Sequence, residues 1–111
     1  MHIPFDSPQL DSTLSALANQ KRRGIIHHLA LQPATVGQLA NQQGLSLPGI
    51  HKHIRILEQA ELITRKKRGR TNFVALNTAT LSLAQNWIIQ YNLNWGDPRA
   101  SLENYISGLK E

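Results

Sequence analysis

The side chains of this chain best suited to binding chemistry are basic residues grouped between Ser46 and Arg70. That segment holds two acidic residues and seven basic ones, whereas acidic and basic residues balance in the rest of the chain. The whole formal charge of +5 therefore lies in this segment. Charge of one sign concentrated in this way is typical of a surface that binds a polyanion such as nucleic acid. A solvated charged face would more often mix both signs.

A helix-turn-helix pattern surrounds the first of these basic residues. Thr35 is suited to cap a short helix, and Gly44 supplies the turn after it because a positive φ costs glycine little. Ser46 caps a second helix, predicted over residues 46–60. The inner side of this second helix carries a stripe of three apolar residues, Ile50, Ile54 and Leu57. Its other face carries polar and basic residues, Pro48, His51, Lys52, Arg55 and Gln59. The pattern predicts a helix that packs on one side and enters the major groove of DNA with the other.

The remaining basic residues lie between two β-like runs, 62–64 and 73–76. Gly69 is a natural turn residue, so the sequence predicts a hairpin with a basic tip, a wing at residues 65–72. We expect Lys67, Arg68 and Arg70 to reach phosphates or the adjacent minor groove. A charged edge strand that protects against aggregation explains some lysines, but not five basic residues in six positions.

Three basic residues, Lys21, Arg22 and Arg23, open the predicted second helix of the chain. They lie at the positive end of the helix dipole, where cations are unfavourable. Two interpretations stay open at this point. The residues contact phosphate, or they form a solvated surface.

Helices near both ends of the chain are predicted to pair two copies. The segments at about 8–18 and 78–109 carry apolar residues at helical spacing, and they hold more apolar surface than so small a domain buries internally. We expect a homodimer interface rather than a ligand pocket. Its predicted residues are Leu10, Leu14, Trp87, Tyr91, Trp95, Leu102 and Tyr105. Residues 1–111 are expected to form one domain around a core at 16–77, mainly α-helical with a small β-hairpin.

Composition limits the other functions. The absence of cysteine excludes disulfides and thiolate metal sites, and five histidines make no obvious tetrahedral set, so no metal or other cofactor is expected. No apolar run approaches the roughly 18 residues that span a membrane, and no signal peptide is evident, so we expect a cytoplasmic protein without a membrane partner. No nucleophile–base pair, paired carboxylates or phosphate-binding glycine loop indicates an enzyme.

From about Ala16 to Asn77 the chain resembles the ArsR-type winged-helix repressors. The motifs that carry this resemblance are L-A-N-x-x-R-R-x-I and L-S-x-P-x-I-x-K-H-I-x-x-L-E-x-A-x-L-I. The resemblance implies a winged helix-turn-helix homodimer, paired through its N-terminal and C-terminal helices, that represses transcription from a pseudo-palindromic operator in double-stranded DNA. It places five residues of the predicted helix at 46–60 against DNA, namely Ser46, Pro48, His51, Lys52 and Arg55. It adds Arg68 and Arg70 of the wing.

The departures from this family pattern are informative too. Metal-sensing members carry either a cysteine pair before the turn or acidic and histidine ligands in the helix after the wing, and this chain has neither set. The C-terminal aromatic pattern looks like a metal-free subgroup. Leu47 and Gly49 replace the more usual Gln and Ala of the family, and Leu47 is suited to contact a thymine methyl group.

Two alternatives accompany the DNA-binding interpretation. A winged-helix module that binds another protein through its C-terminal aromatic helix is the first, and the one-sided charge argues against it. The second adds to DNA binding an unidentified small-molecule effector, apolar in character, bound between Trp87 and Trp95 at the dimer interface.

Overall fold

Six helices and three short strands make up the part of the chain that the structure describes. The structure is a computed structural model that describes residues 3–95 and 98–109, with side chains described for 3–91 and 101–109. The elements in chain order are α1 (Pro8–Leu17), α2 (Gln20–Leu29), β1 (Ala34–Thr35), α3 (Val36–Gln43), α4 (Leu47–Gln59), β2 (Ile63–Arg68), β3 (Thr71–Leu76), α5 (Thr78–Trp95) and α6 (Pro98–Ser107).

Local capping sets the ends of the helix-turn-helix formed by α3 and α4. The Thr35 hydroxyl accepts a hydrogen bond from Gln38 N (3.1 Å), and the Gln38 side chain accepts one from Thr35 N (2.9 Å), which forms a capping box. Gly44 ends α3 in the left-handed conformation at φ 64°. The Ser46 hydroxyl then caps α4 by accepting from Gly49 N. The predicted helix at 46–60 is therefore confirmed as α4 and its two capping residues.

The C-terminal end of α4 is unusual because its left-handed residue is not glycine. Glu61 has φ 61°, and its N–H and that of Leu62 donate back to the last turn of α4 in a Schellman motif. The Glu61 carbonyl oxygen accepts hydrogen bonds from Asn77 Nδ2 (2.9 Å) and Thr80 Oγ1 (2.5 Å). These two bonds join the end of α4 to the start of α5.

The aliphatic core fixes α4 against the rest of the domain. Ile50, Ile54 and Leu57 are all 0% exposed, so the predicted inner stripe is confirmed. They belong to one buried cluster whose other members come from α1, α2, α3, the sheet and the connection between α4 and β2, namely Ala16, Ile25, Leu29, Val36, Leu39, Ala40, Ala60, Leu62, Ile63 and Val74. Because the packed side of α4 is fully buried, its opposite side is the one left for a partner.

The β-structure differs from the predicted two-stranded hairpin in two ways. A third strand, β1, pairs antiparallel with β3, which gives a sheet of order β1-β3-β2. The strands also continue further than expected, since the register runs to Arg68 opposite Thr71 and leaves Gly69 and Arg70 as the turn. Gly69 has φ 62°, as the first turn position of a type II′ hairpin requires. Arg68 and Arg70 thus lie at the predicted tip of the hairpin, whereas Arg65, Lys66 and Lys67 lie further back along β2.

Helices α5 and α6 leave apolar side chains uncovered. Leu102 and Tyr105 on α6 are 59% and 67% exposed, and Ile88 and Tyr91 on α5 are exposed as well. The protomer is elongated, with a radius of gyration of 19.0 Å, where a compact domain of this length has about 13 Å. None of the helices in the described residues is long and apolar enough to cross a membrane.

Two residues predicted for the dimer interface need separate comment. Leu10 is 1% exposed in a single protomer, so it is a core residue there and has almost no surface left for a partner. The reason is that α1 packs against α5 within the same chain. The side chain of Trp95 lies outside the described residues. Leu14 and Trp87 are partly exposed.

Candidate nucleic-acid interface

The outer face of α4 presents polar and basic side chains to solvent. Lys52, Arg55 and Gln59 are exposed and follow one another at spacings of three and four residues, so they share one side of the helix. At the N-terminal end Ser46 and Pro48 are exposed, Leu47 is 57% exposed and His51 is partly buried. The structure therefore places all six predicted α4 contacts on accessible surface: Ser46, Leu47, Pro48, His51, Lys52 and Arg55.

A cleft of about 330 Å³ separates the first turn of α4 from the turn of the wing. Leu47 and His51 line it from α4, and Arg70 lines it from the hairpin turn. The start of α3 and the first residues of β3 complete its walls, through Thr35, Val36, Gly37, Thr71 and Asn72. The recognition helix and the wing turn are thus neighbours, as a surface that contacts one ligand requires.

The wing does not present its basic residues on a single face. Side chains alternate along β2, so Arg65 and Lys67 share the side of the buried Ile63, whereas Lys66 and Arg68 point to the other side of the sheet. Arg70 lies in the turn between the two strands. The predicted set of Lys67, Arg68 and Arg70 is exposed throughout, but it is divided between both faces and the tip of the hairpin.

One basic residue of this run, Arg65, is partly buried and paired with another side chain of the protein. Arg65 forms a two-pronged ion pair with Glu58 of α4, with Nη2 to Oε1 at 2.5 Å and Nε to Oε2 at 3.3 Å. Hydrogen bonding from Arg65 lowers the pKa of the Glu58 carboxyl, since it stabilises the charged form. No sequence pattern marks Arg65 apart from its basic neighbours, because its pairing depends on how β2 returns past the end of α4.

The basic residues at the start of α2 have partners within the fold. Arg22 donates to the carbonyl oxygens of Ala16 (2.7 Å) and Ser15 (3.3 Å), and Arg23 donates to that of Leu17 (2.9 Å). These carbonyls close the last turn of α1, where a cation stabilises the negative end of the helix dipole. Lys21 Nζ similarly donates to the Gln43 carbonyl (2.7 Å) at the end of α3. Within the protomer these side chains thus cap the ends of α1 and α3, while Lys21 and Arg23 stay exposed to solvent.

His53 lies on α4 beside Arg22, whose Nη1 is 3.3 Å from the His53 Nδ1. Burial lowers the pKa of the His53 imidazole, and the positive charges of Arg22, Lys52 and Lys21 lower it further. The imidazole is therefore neutral at neutral pH, with Nδ1 free to accept from the guanidinium. Its role in the structure is to join α2 to the recognition helix.

Histidine and acidic side chains elsewhere do not gather into a metal centre in the described part of the chain. No group of three or more His, Cys, Asp or Glu residues there is placed to hold a metal ion. His27 and His28 touch edge to face, with ring centres 5.8 Å apart.

Comparison with known proteins identifies the domain that carries this surface. Residues 17–66 match a protein-family profile described as a helix-turn-helix domain. The chain is 32% identical over 88 residues to the transcriptional repressor SdpR of Bacillus subtilis, which covers 79% of this chain and 97% of that protein. It is also 32% identical over 72 residues to the HTH-type transcriptional regulator Rv2034 of Mycobacterium tuberculosis, which covers 65% of this chain and 67% of that protein.

Solved structures agree with these relatives. The crystal structure of the ArsR family transcriptional regulator RHA00566 superposes with a TM-score of 0.78 at 30% identity, covering 85% of this chain and 96% of that one. The solution structure of the homodimeric winged helix-turn-helix domain Mb0332 from Mycobacterium bovis has a TM-score of 0.63 at 18% identity, over 81% of this chain and 85% of that one, and shows a shared fold. The chain belongs to the ArsR family of winged helix-turn-helix proteins and is a DNA-binding transcriptional regulator.

Proposed function

We propose that this protein is a cytoplasmic homodimeric repressor that reads a pseudo-palindromic operator in double-stranded DNA. The observation that carries the proposal is the exposed polar face of α4, which lies beside the wing turn and opposite a fully buried apolar stripe. A helix of this kind fits the major groove of B-DNA, and a hairpin beside it reaches the flanking backbone or minor groove. The repressor activity of the relative SdpR supports this direction of regulation.

Each side chain of the surface has a role that its chemistry suits. Arg55 and Lys52 are exposed donors on the groove-facing side of α4, where Arg and Lys read guanine O6 and N7. His51 lies nearer the wing, within reach of a base edge or a phosphate. Ser46 and Pro48 approach the backbone at the start of the helix. Lys67, Arg68 and Arg70 supply phosphate contacts, which carry the salt-dependent part of the affinity.

Apolar surface supports the homodimer. The protomer exposes 8072 Å², whereas a compact monomer of its mass exposes about 6100 Å². The difference is of the size that a stable dimer interface buries. The neighbour Mb0332 is itself described as homodimeric.

Substitution of Arg55 tests the assigned recognition face. We expect Arg55→Ala to weaken binding to a duplex selected from a random pool by about tenfold or more, and to reduce its preference over a scrambled duplex. Fluorescence anisotropy at several salt concentrations measures both effects. Arg23→Ala is a matched control, since that guanidinium donates to the Leu17 carbonyl, and it should leave the preference unchanged. Equal affinities of Arg55→Ala and wild type for both duplexes would show that another face binds DNA.

A further inference from the structure

The ion pair between Glu58 and Arg65 is a polar side-chain link between α4 and the wing, beside the apolar contacts of the core cluster. Glu58 lies in the last turn of α4 and Arg65 is the third residue of β2. Both hydrogen bonds of the fork are formed, so the guanidinium plane is fixed relative to the carboxylate. Each side chain is partly buried, which screens the pair less than a fully exposed one.

The position of Arg65 along β2 gives this link its importance. Ile63 anchors the start of the strand in the core, but every residue from Lys66 to the turn is exposed. On the other strand, Val74 is the buried residue opposite Arg65, and Phe73 beyond it is exposed. Arg65 is therefore the last residue of β2 with a partly buried side chain, one residue pair before Lys66 and Phe73, where β1 still pairs with β3. The contact that holds Arg65 acts where β2 leaves the packed part of the sheet for the turn.

The pair also changes the charge that DNA meets on α4. In the segment from Ser46 to Arg70 the acidic residues are Glu58 and Glu61. An unpaired carboxylate on the recognition helix repels phosphate, and Arg65 neutralises the charge of Glu58 at hydrogen-bonding distance. Arg65 uses its guanidinium fork within the protein, which separates it from the exposed Lys66, Lys67 and Arg68.

We propose that Glu58 and Arg65 are positioning residues for operator recognition. Their ion pair fixes the wing at the angle to α4 that lets both elements contact one duplex at the same time. Arg65 acts through the wing and not through a phosphate of its own. The inference rests on the proposed DNA-binding function, which it deepens by assigning the geometry of the site to one pair.

Removal of the Glu58 carboxylate distinguishes the positioning role from the electrostatic effect of its negative charge on DNA binding. Glu58→Gln keeps the shape of the side chain and removes one negative charge, so electrostatics alone predicts tighter binding to any DNA. The positioning role predicts weaker binding to the selected duplex, by about three- to tenfold, with no such loss on a scrambled duplex. Glu61→Gln is the matched control, because it removes the same charge from a side chain that forms no ion pair in the described residues.

Exchange of the two charges supplies a rescue. Glu58→Arg and Arg65→Glu should each weaken specific binding, and the double variant should recover most of the loss because the pair is restored at unchanged net charge. Arg65→Gln should leave the salt dependence of binding unchanged, whereas a lost phosphate contact lowers the slope by about one. Thermal melting of each variant verifies that it is folded. If a single variant does not fold, the double variant with exchanged charges still tests whether the ion pair is needed.

The outcomes distinguish this inference from the function on which it rests. A wild-type protein with no preference for any selected duplex overturns both. A wild-type protein that prefers its duplex, together with Glu58→Gln binding as tightly as Glu61→Gln, overturns the positioning role alone. Failure of the exchanged pair to recover binding, with a reduced salt slope for Arg65→Gln, would instead make Arg65 a phosphate contact.

Discussion

Leu47 is an apolar side chain in an otherwise polar surface, 57% exposed at the first turn of α4. It lines the cleft shared with His51 and Arg70, where a base edge would approach. An exposed leucine needs no explanation by itself. At the leading end of a recognition helix, however, it matches the methyl group that distinguishes thymine in the major groove.

Replacement of thymine by uracil tests this contact. We expect wild-type protein to lose about 1 kcal/mol of binding energy per half-site when one thymine of each half-site becomes uracil, because one buried methyl group is removed from each. Leu47→Ala should bind both duplexes alike, and Leu31→Ala, which changes an exposed leucine elsewhere, should behave as wild type. Anisotropy titrations give the energies. Indifference of the wild type to uracil at every thymine would remove Leu47 from the set of base contacts.

His53 makes stability depend on pH in a defined direction. Its pKa in the folded protein is below the ordinary value of 6.5, first because of burial and then because Arg22, Lys52 and Lys21 face it. The unfolded chain therefore binds this proton more readily than the folded protein does. Stability rises with pH in the window between the two pKa values, and the contribution is lost as pH falls below about 6.5.

Urea unfolding at about pH 7.5 and about pH 5.5 measures this dependence. We expect wild-type protein to be less stable at the lower pH, and His53→Gln to show a smaller difference between the two. Glu58 does not interfere, because its pKa is lowered from 4.5 and it stays charged across this range. A His53→Gln difference as large as that of wild type would assign the pH dependence to another group.

Single residues also show where sequence stops predicting a site. The exposed donors Lys52 and Arg55 followed from helical spacing alone. No local pattern separates Arg22 and Arg65 from their basic neighbours, yet the first closes the end of α1 and the second pairs with Glu58. Those partners come from other elements, so the assignment depends on tertiary packing that no local pattern encodes.

At the scale of elements, α4 was the easiest to predict and the sheet the hardest. Gly44, Ser46 and Pro48 mark the start of α4 in the sequence, and a three-residue apolar stripe sets its orientation. Strand β1 has only two residues, too few to show an alternating pattern, and it exists because β3 offers it a pairing edge. Local signals thus define the recognition helix, whereas long-range pairing defines the sheet.

Glu61 holds a conformation that glycine adopts more easily, and this gives an element-scale prediction. We expect Glu61→Gly to stabilise the protein by about 1 kcal/mol, since the left-handed backbone at φ 61° strains a residue with a Cβ. Gln59→Gly, two residues earlier and inside α4, should destabilise it by about 1 kcal/mol. Chemical unfolding measures both changes. A destabilised Glu61→Gly would mean that the glutamate side chain makes a stabilising interaction that outweighs the strain.

The whole molecule is elongated, and its C-terminal part exposes apolar side chains that a second protomer could cover. The side chains of Leu102, Tyr105 and Ile106 on α6, and of Leu109 just after it, recur at three- and four-residue spacing, and all are exposed in the protomer. The excess apolar surface of the terminal helices was predicted from sequence. The burial of Leu10 in the core was not predicted from sequence, because the packing of α1 on α5 appears only in three dimensions.

A charge on this surface should prevent pairing. We expect Leu102→Glu to sediment as a monomer under conditions in which wild type is a dimer, and to lose at least tenfold in operator affinity because each protomer then binds one half-site (roughly 1.4 kcal/mol or more). Leu31→Glu makes the same change at an exposed leucine of the DNA-binding domain and should remain dimeric. A dimeric Leu102→Glu would place the interface elsewhere.

Selection of duplexes from a random pool, followed by footprinting, tests the central claim most directly. The claim is that two copies of α4, related by a twofold axis, read double-stranded DNA in adjacent major grooves. The expected result is an enriched inverted repeat whose half-sites are separated by about 10 base pairs or a multiple of that distance, with protection centred on both halves. Enrichment of no sequence, or of one unrepeated site protected on one side, would contradict it.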